Sequence, residues 1–367
     1  MMAFVSALFT PFSIGPVEVV NRIAVSPMCQ YSADDGVAGD WHFQHLVQLG
    51  YSGAGLVMVE ATAVERRGRI THGCLGLYSD SAEDALAGVI RAARRFGGET
   101  KFGVQLAHAG RKASAQRPWE GGSPLGPGEE PWNAVGPSAI PFAPGWPPPE
   151  ELDGPGITAI VSAFVAAAQR AARIGFDLVE LHGAHGYLLH SFYSPIANHR
   201  ADGYGGNRAN RMRLALEVAR AVRESLPERM ALGMRITGSD WAEGGLTPDD
   251  AVALAGDLKA AGVQYVCVSS GGIVSGVKIP AGPGYQVPFA AKVKRETGIA
   301  TRAVGMIRTP DQAEEIIASG SADLVALARA FLDDPRWGWH AADRLGGKAV
   351  CPRPYERSRP PLWTRPA

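Results

Sequence analysis

Eight short, continuously apolar runs, each followed by a stretch with helical spacing, constrain the fold of this chain more than any other feature. The runs cover residues 23–27, 56–63, 101–107, 177–181, 230–236, 265–269, 301–304 and 323–328. Segments such as GLVMVEA, FDLVEL and ADLVALA do not alternate apolar with polar residues. A strand written that way is buried on both faces, as parallel strands covered by helices are. The intervening stretches carry their own signals. Leu214, Val218, Val222 and Leu226 recur every fourth residue and draw one apolar stripe. Thr247-Pro248 starts the next helix with a cap residue and a proline at the first helical position, and Gly262 ends it. Thr309-Pro310-Asp311-Gln312 repeats the device as a capping box, closed by Gly320. Eight such alternations predict an α/β chain, a single (β/α)8 TIM barrel over residues 1–367, rather than an open doubly wound sheet.

Two stretches interrupt the rhythm. Residues 109–155, after strand three, are dense in Pro and Gly and read as a capping loop over the barrel mouth. The tail, 351–367, holds five prolines and four arginines; it is expected not to be helical and has no partner strand of its own. With 36 basic against 36 acidic residues, no net field draws the chain to nucleic acid or to an anionic membrane. Cysteines 29, 74, 267 and 351 form no CxxC pair, which speaks against a disulfide framework, zinc or an iron–sulfur cluster. No unbroken apolar run reaches about 18 residues, and no Lys or Arg precedes Arg22. Neither a membrane span nor a signal peptide is expected, and the location expected is cytoplasmic.

In such barrels chemistry sits at the carboxyl ends of the strands. Strand one ends in Ser26, Pro27, Met28 and Cys29 with Tyr31 beyond; strand two at Ala61-Thr62; strand three at Gln105 and His108. Strand four ends in His182-Gly-Ala-His185-Gly-Tyr187, strand five in Arg235, strand seven in Gly305, strand eight in Ala328-Arg329. Two neutral imidazoles and a phenol can hold a developing oxyanion and deliver a proton. The same HxxH invites a metal reading, with His108 or Asp177 as further ligands, although it is not HExxH on a helix. Arg235 inside a barrel mouth needs an anion: a neighbouring acid such as Glu180 or Asp240, or a bound group that becomes anionic, such as a reduced flavin. Gln105 offers a donor and an acceptor, which suits an imide edge or an ordinary buried amide. Gly305 and Ala328-Arg329 stand where barrels commonly hold phosphate.

The chain resembles the old yellow enzyme family of flavin-dependent ene-reductases, in particular its thermophilic-like branch. The segments that carry the resemblance run nearly from end to end: LFTPFSIGPVEVVNRIAVSPMCQYSADDG, GLVMVEATAV, VQLAHAGRKA, VELHGAHGYLLHSFYSPIANHRADGYGGN, GMRIT, VSSGG, AVGMI and PYERSRP. The resemblance implies an FMN cofactor, with NADPH or NADH as hydride donor, and reduction of activated alkenes such as enones, maleimides and nitroalkenes. It implies that Ser26, Pro27, Met28, Cys29, Ala61, Gln105 and Arg235 contact the flavin ring, with Cys29 near its reactive nitrogen. Gly305, Ala328 and Arg329 hold the phosphate, by the same likeness. It further implies that His182 and His185 bind the substrate's carbonyl or nitro oxygen, that Tyr187 protonates the alpha carbon, and that Tyr31 lines the pocket.

By the same resemblance, Arg357 of PYERSRP reaches a neighbouring active site in a homodimer or homotetramer. No metal, nucleic acid or membrane partner is implied. Three places depart from the family's pattern: Ala328 stands where a glycine is usual, NRANR follows YGG, and the tail continues as SRPPLWTRPA. The rival reading from another class is a metal-dependent barrel hydrolase or aldolase with His182 and His185 as ligands.

Overall fold

In the computed structural model, which describes residues 6–363, eight parallel strands close into a barrel. They are β1 (Ile23–Val25), β2 (Leu56–Ala63), β3 (Lys101–Ala107), β4 (Leu178–Gly183), β5 (Ala231–Thr237), β6 (Tyr265–Ser269), β7 (Ala300–Ala303) and β8 (Leu324–Leu327). Each pairs with its neighbours in sequence, and β8 pairs with β1 to complete the ring. All eight residues of β2 are buried, as its unbroken apolar run requires. The boundaries move by one or two residues: β1 stops before Ser26, and β4 runs on to Gly183, taking in His182.

The outer layer consists of α1 (Asp40–Gly50), α2 (Asp80–Gly97), α3 (Gly154–Ile174), α4 (Arg208–Ser225), α5 (Pro248–Ala260), α6 (Val287–Thr297), α7 (Pro310–Ala318) and α8 (Trp337–Leu345). The stripe Leu214, Val218, Val222 on α4 is buried, with Leu226 just beyond it. Thr247 opens α5 with its N–H and hydroxyl both donating to Asp250, at 2.9 and 2.8 Å. At α7 the hydroxyl of Thr309 accepts from Gln312 N–H (3.3 Å), but the Gln312 amide reaches one residue further back, to Arg308 N–H at 3.0 Å. Helix α3, 21 residues long, is apolar and long enough to cross a membrane by those two criteria, which an inspection for unbroken apolar runs overlooks. In the barrel it packs Ile157, Ile160, Phe164, Ala167, Ala168 and Ala171 inward.

The amino end of the barrel is plugged. A hairpin of Phe12–Ile14 and Val17–Val19, turning at Gly15 with φ +55°, packs Ile14, Val17 and Val19 against Leu56, Leu178, Ala231, Tyr265 and Leu324 at the strand starts. The carboxyl end stays open.

The loop after β3 ends at Asp153, whose carboxylate caps α3 by accepting Gly156 N–H at 2.8 Å. It contains three 3-10 turns and a two-residue pairing of Val135–Gly136 with Glu150–Glu151. It is pinned across the mouth by buried Arg111, which donates to the carbonyls of Pro141 (3.1 Å) and Ile273. The tail expectation is corrected: Arg353–Ser358 form a 3-10 helix. Pro352 precedes it and Pro354 falls in the first turn, where a missing N–H breaks no helical bond. Tyr355 stacks on Tyr51 at 6.0 Å, and Arg359 pairs with Asp343 at 2.7 Å. Residues 364–367, the last of the expected tail, lie outside the described residues.

Candidate active site

The segment after β4 brings three rings together. The centroids of His182 and Tyr187 are 4.8 Å apart and those of His182 and His185 4.9 Å, both pairs edge to face. The turn is tight: His185 has φ +59°, and Gly186 has φ +75° with no room for a Cβ, which would meet the Gly272 carbonyl oxygen at 2.1 Å. Gly186 N–H donates to Nδ1 of buried His190 at 2.8 Å, so the proton of His190 sits on Nε2 and faces Asp240 at 2.8 Å. Asp240 is held further by Ser194 and Leu246 N–H; against its burial, His190 and these donors keep its carboxyl below the usual range.

Hydrogen bonds select the tautomers of the two front histidines. Ala184 N–H donates to His182 Nδ1 at 3.2 Å, leaving the His182 proton on Nε2. Arg235 Nε donates to Ser269 Oγ at 3.2 Å, and that hydroxyl lies 2.9 Å from His185 Nε2. A hydroxyl that accepts from the arginine keeps its own proton to donate to the imidazole, and with that donation His185 carries its proton on Nδ1. Burial first, and then Arg235, holds both imidazoles well below their ordinary pKa, so they are neutral donors. Burial likewise pushes the Tyr187 phenol up, so it keeps its proton. Lys112 Nζ ties the two loops together, donating to the carbonyls of His185 (2.9 Å) and Gly272 (3.2 Å).

Arg235 forms no ion pair among the described residues. Neither acid expected beside it is free: Glu180 is paired with buried Arg302, and Asp240 with His190. The guanidinium instead borders a cavity of about 690 Å³ shared with Ser26, Gly305, Ala328 and Arg329. Gly305 has φ +115°, and a Cβ there would crowd Gln286 at 3.0 Å. Arg235, Arg308 and Arg329 line this cavity together with Asp333 and Asp334, and Gly305 opens it between β7 and β8. A cavity with that cationic lining and a glycine at its recess suits a planar ring carrying a phosphate arm, and the residues fit FMN on that ground. Gln105, paired in register with Ala61, donates its Nε2–H to Glu180 at 2.8 Å.

The segment after β1 is fastened beside this mouth. Ser26 N–H donates to Leu327 O at 2.9 Å, and Gln30 N–H to Glu60, the residue at a bulge in β2, at 3.0 Å. Tyr31, with φ +51°, sets its ring edge to face with Trp119 of the long loop at 5.8 Å. Burial, then the nearby Glu60 charge, raises the Cys29 pKa, so the residue is a thiol and not a thiolate.

The metal reading loses its further ligands. His108 Nε2 is engaged with Glu65 at 2.8 Å, and Asp177, at the opposite end of β4, binds Arg94. Arg357 does not join the site; it stands exposed on the tail helix of its own chain. Ser269 and Lys112 were not singled out from the sequence. The sequence signal for Ser269 is the first serine of VSSGG at the end of β6, and Lys112 lies within GRKA, four residues after His108.

Comparison with known proteins agrees with this geometry. Residues 7–346 match the family described as NADH:flavin oxidoreductase / NADH oxidase. The chain is 42% identical to an NADPH dehydrogenase of Listeria innocua serovar 6a over 96% of its own length and 99% of the relative's. It is 44% identical to an NADPH dehydrogenase of Geobacillus sp. (strain WCH70), over 95% and 98%. Among solved structures, morphinone reductase superposes with a TM-score of 0.76 at 29% identity, over 96% of this chain and 93% of that one. A 2-naphthoyl-CoA reductase reaches 0.81 at 24% identity and shows the fold alone; this chain spans about half of it, 52%. The chain therefore belongs to the NADH:flavin oxidoreductase / NADH oxidase family, the old yellow enzyme-like barrels, and is an NAD(P)H-dependent oxidoreductase that uses FMN.

Proposed function

We propose that the protein is a cytoplasmic ene-reductase for small electron-poor alkenes conjugated to a carbonyl, imide or nitro group. The observation that carries this reading is the pair of buried, neutral imidazoles of His182 and His185 grouped edge to face with one protonated phenol. Two such donors hold one oxygen and strengthen their grip as negative charge grows on it. Bound FMN would supply the redox chemistry, hydride transfer from the nicotinamide to the beta carbon of the alkene.

The chain's own part is placement and proton supply. Ser26, Pro27, Met28, Cys29, Ala61, Gln105 and Arg235 hold the ring, and Gly305, Ala328 and Arg329 hold the phosphate, in keeping with the shared cavity. Arg235 opposes negative charge gathered on the pyrimidine edge. Tyr31 lines the substrate space under the long loop, which covers the mouth. Tyr187 gives its proton to the alpha carbon: a phenol whose ionisation burial disfavours yields its proton only to a strongly basic atom close by. Arg357, exposed on a tail helix that docks through Tyr355 and Arg359, enters the site of a second copy in a homo-oligomer.

Tyr187→Phe tests the assignment. In stopped flow, flavin reduction by NADPH is expected to change by less than about threefold, while alkene reduction slows by about 100-fold or more. Equal impairment of both half-reactions, or of neither, removes Tyr187 from the donor role.

A further inference from the structure

Gln105 is joined to three buried polar residues that the reading above does not use. Glu180 of β4, Tyr265 of β6 and Arg302 of β7 are all 0% exposed, and Gln105 of β3 is 2% exposed. Glu180 Oε1 accepts from Gln105 Nε2 at 2.8 Å. Its Oε2 accepts from the Tyr265 hydroxyl at 2.8 Å and from the Arg302 guanidinium. Arg302 also reaches the Tyr265 oxygen at 3.4 Å. The charges cancel, so this is a buried ion pair in the barrel interior, and Gln105 joins it through Glu180.

We propose that Glu180, held by Arg302 and Tyr265, is a positioning residue that decides which end of the Gln105 amide meets the flavin. An amide can turn over at little cost unless a neighbour distinguishes its oxygen from its nitrogen. An ionised carboxylate can only accept, so the NH2 of Gln105 must face Glu180 and its carbonyl oxygen must face away. Gln105 Oε1 has no protein partner among the described residues. An isoalloxazine presents an imide N–H between two carbonyls. The fixed amide offers that N–H an acceptor, while the second hydrogen on Nε2 is left for a neighbouring carbonyl. Reversed, the amide would set donor against donor.

The inference rests on FMN being the ligand. Wild-type protein purified without flavin and taking none up removes that premise, an outcome separate from those below. Changing Glu180 alone would leave Arg302 charged, buried and unpaired, so the network is removed together as Glu180→Leu, Tyr265→Phe, Arg302→Met. FMN titrated into the apoprotein is expected to bind about tenfold more weakly to this variant than to wild type. In a Gln105→Leu background the same three changes are expected to alter affinity by less than about twofold, because nothing remains to orient. An unchanged affinity in the first comparison, or an equal loss in both, overturns the proposal. Should the triple variant not fold, Glu180→Gln with Arg302→Met keeps a partner for Tyr265, replaces the acceptor-only group by an amide without stranding a buried charge, and carries the same two expectations.

Discussion

Ser269 Oγ lies 2.9 Å from His185 Nε2, and through that hydroxyl the guanidinium of Arg235 is linked to the substrate side of the site. Ser269→Ala removes the hydroxyl that faces His185 Nε2 and, by donating to it, would keep the His185 proton on Nδ1. KM for an enone is expected to rise about tenfold, with Ser269→Thr near wild type because it retains a hydroxyl. Steady-state kinetics on the three proteins check this, and an alanine variant with unchanged KM would show that the tautomer is set otherwise.

Arg235 forms no ion pair among the described residues, so its removal acts on the ligand. A charge-assisted bond of about 1.5–3 kcal/mol predicts FMN binding weaker by roughly 10- to 100-fold in Arg235→Ala. Any flavin retained should show a lower reduction potential. Dialysis followed by absorbance, and a potentiometric titration, read both; full retention at an unaltered potential contradicts the role.

Lys112 gives the site a pH limit. Burial, and then the nearby Arg111, lowers its pKa to about 8 from 10.5. The ammonium that clamps His185 and Gly272 is present below that pH and lost above it, so alkene reduction should fall with an apparent pKa near 8. Lys112→Met should be slower throughout and lack that limb. The stability effect has the opposite sign. Between about 8 and 10.5 the unfolded chain holds this proton and the folded chain does not, so this group makes the fold more stable as pH rises. Urea midpoints across the interval should rise less in the variant.

The tail separates docking from reach. Deleting residues 352 onward removes the stack of Tyr355 on Tyr51 and the pairing of Arg359 with Asp343, and is expected to weaken both self-association and substrate binding. Arg357→Ala leaves those contacts in place and should raise KM by several-fold at unchanged mass in light scattering. A KM that follows neither change would confine the active site to one chain.

The barrel was readable because each of its parts leaves a local mark: buried parallel strands as unbroken apolar runs, helix starts as Thr-Pro pairs. The same holds for residues whose polar groups are out of character at a strand end, such as Arg235, His182 and Gln105. Ser269 was not readable, since a serine before two glycines looks like part of a turn. Nor was the partner of Glu180, because Arg302 lies 122 residues away, inside the short strand β7, where nothing local marks an arginine as buried. The tail helix was missed for a different reason: prolines forbid the interior of a helix but not its first turn.

The hairpin of Phe12–Ile14 and Val17–Val19 seals one end of the cylinder, so the described chain leaves a single doorway at the other. With the alkene as the second substrate, as proposed, both reactants would come to the same opening and take turns there. Double-reciprocal plots at several fixed levels of one reactant should therefore be parallel lines, with each reactant inhibiting at high concentration by occupying the other's turn.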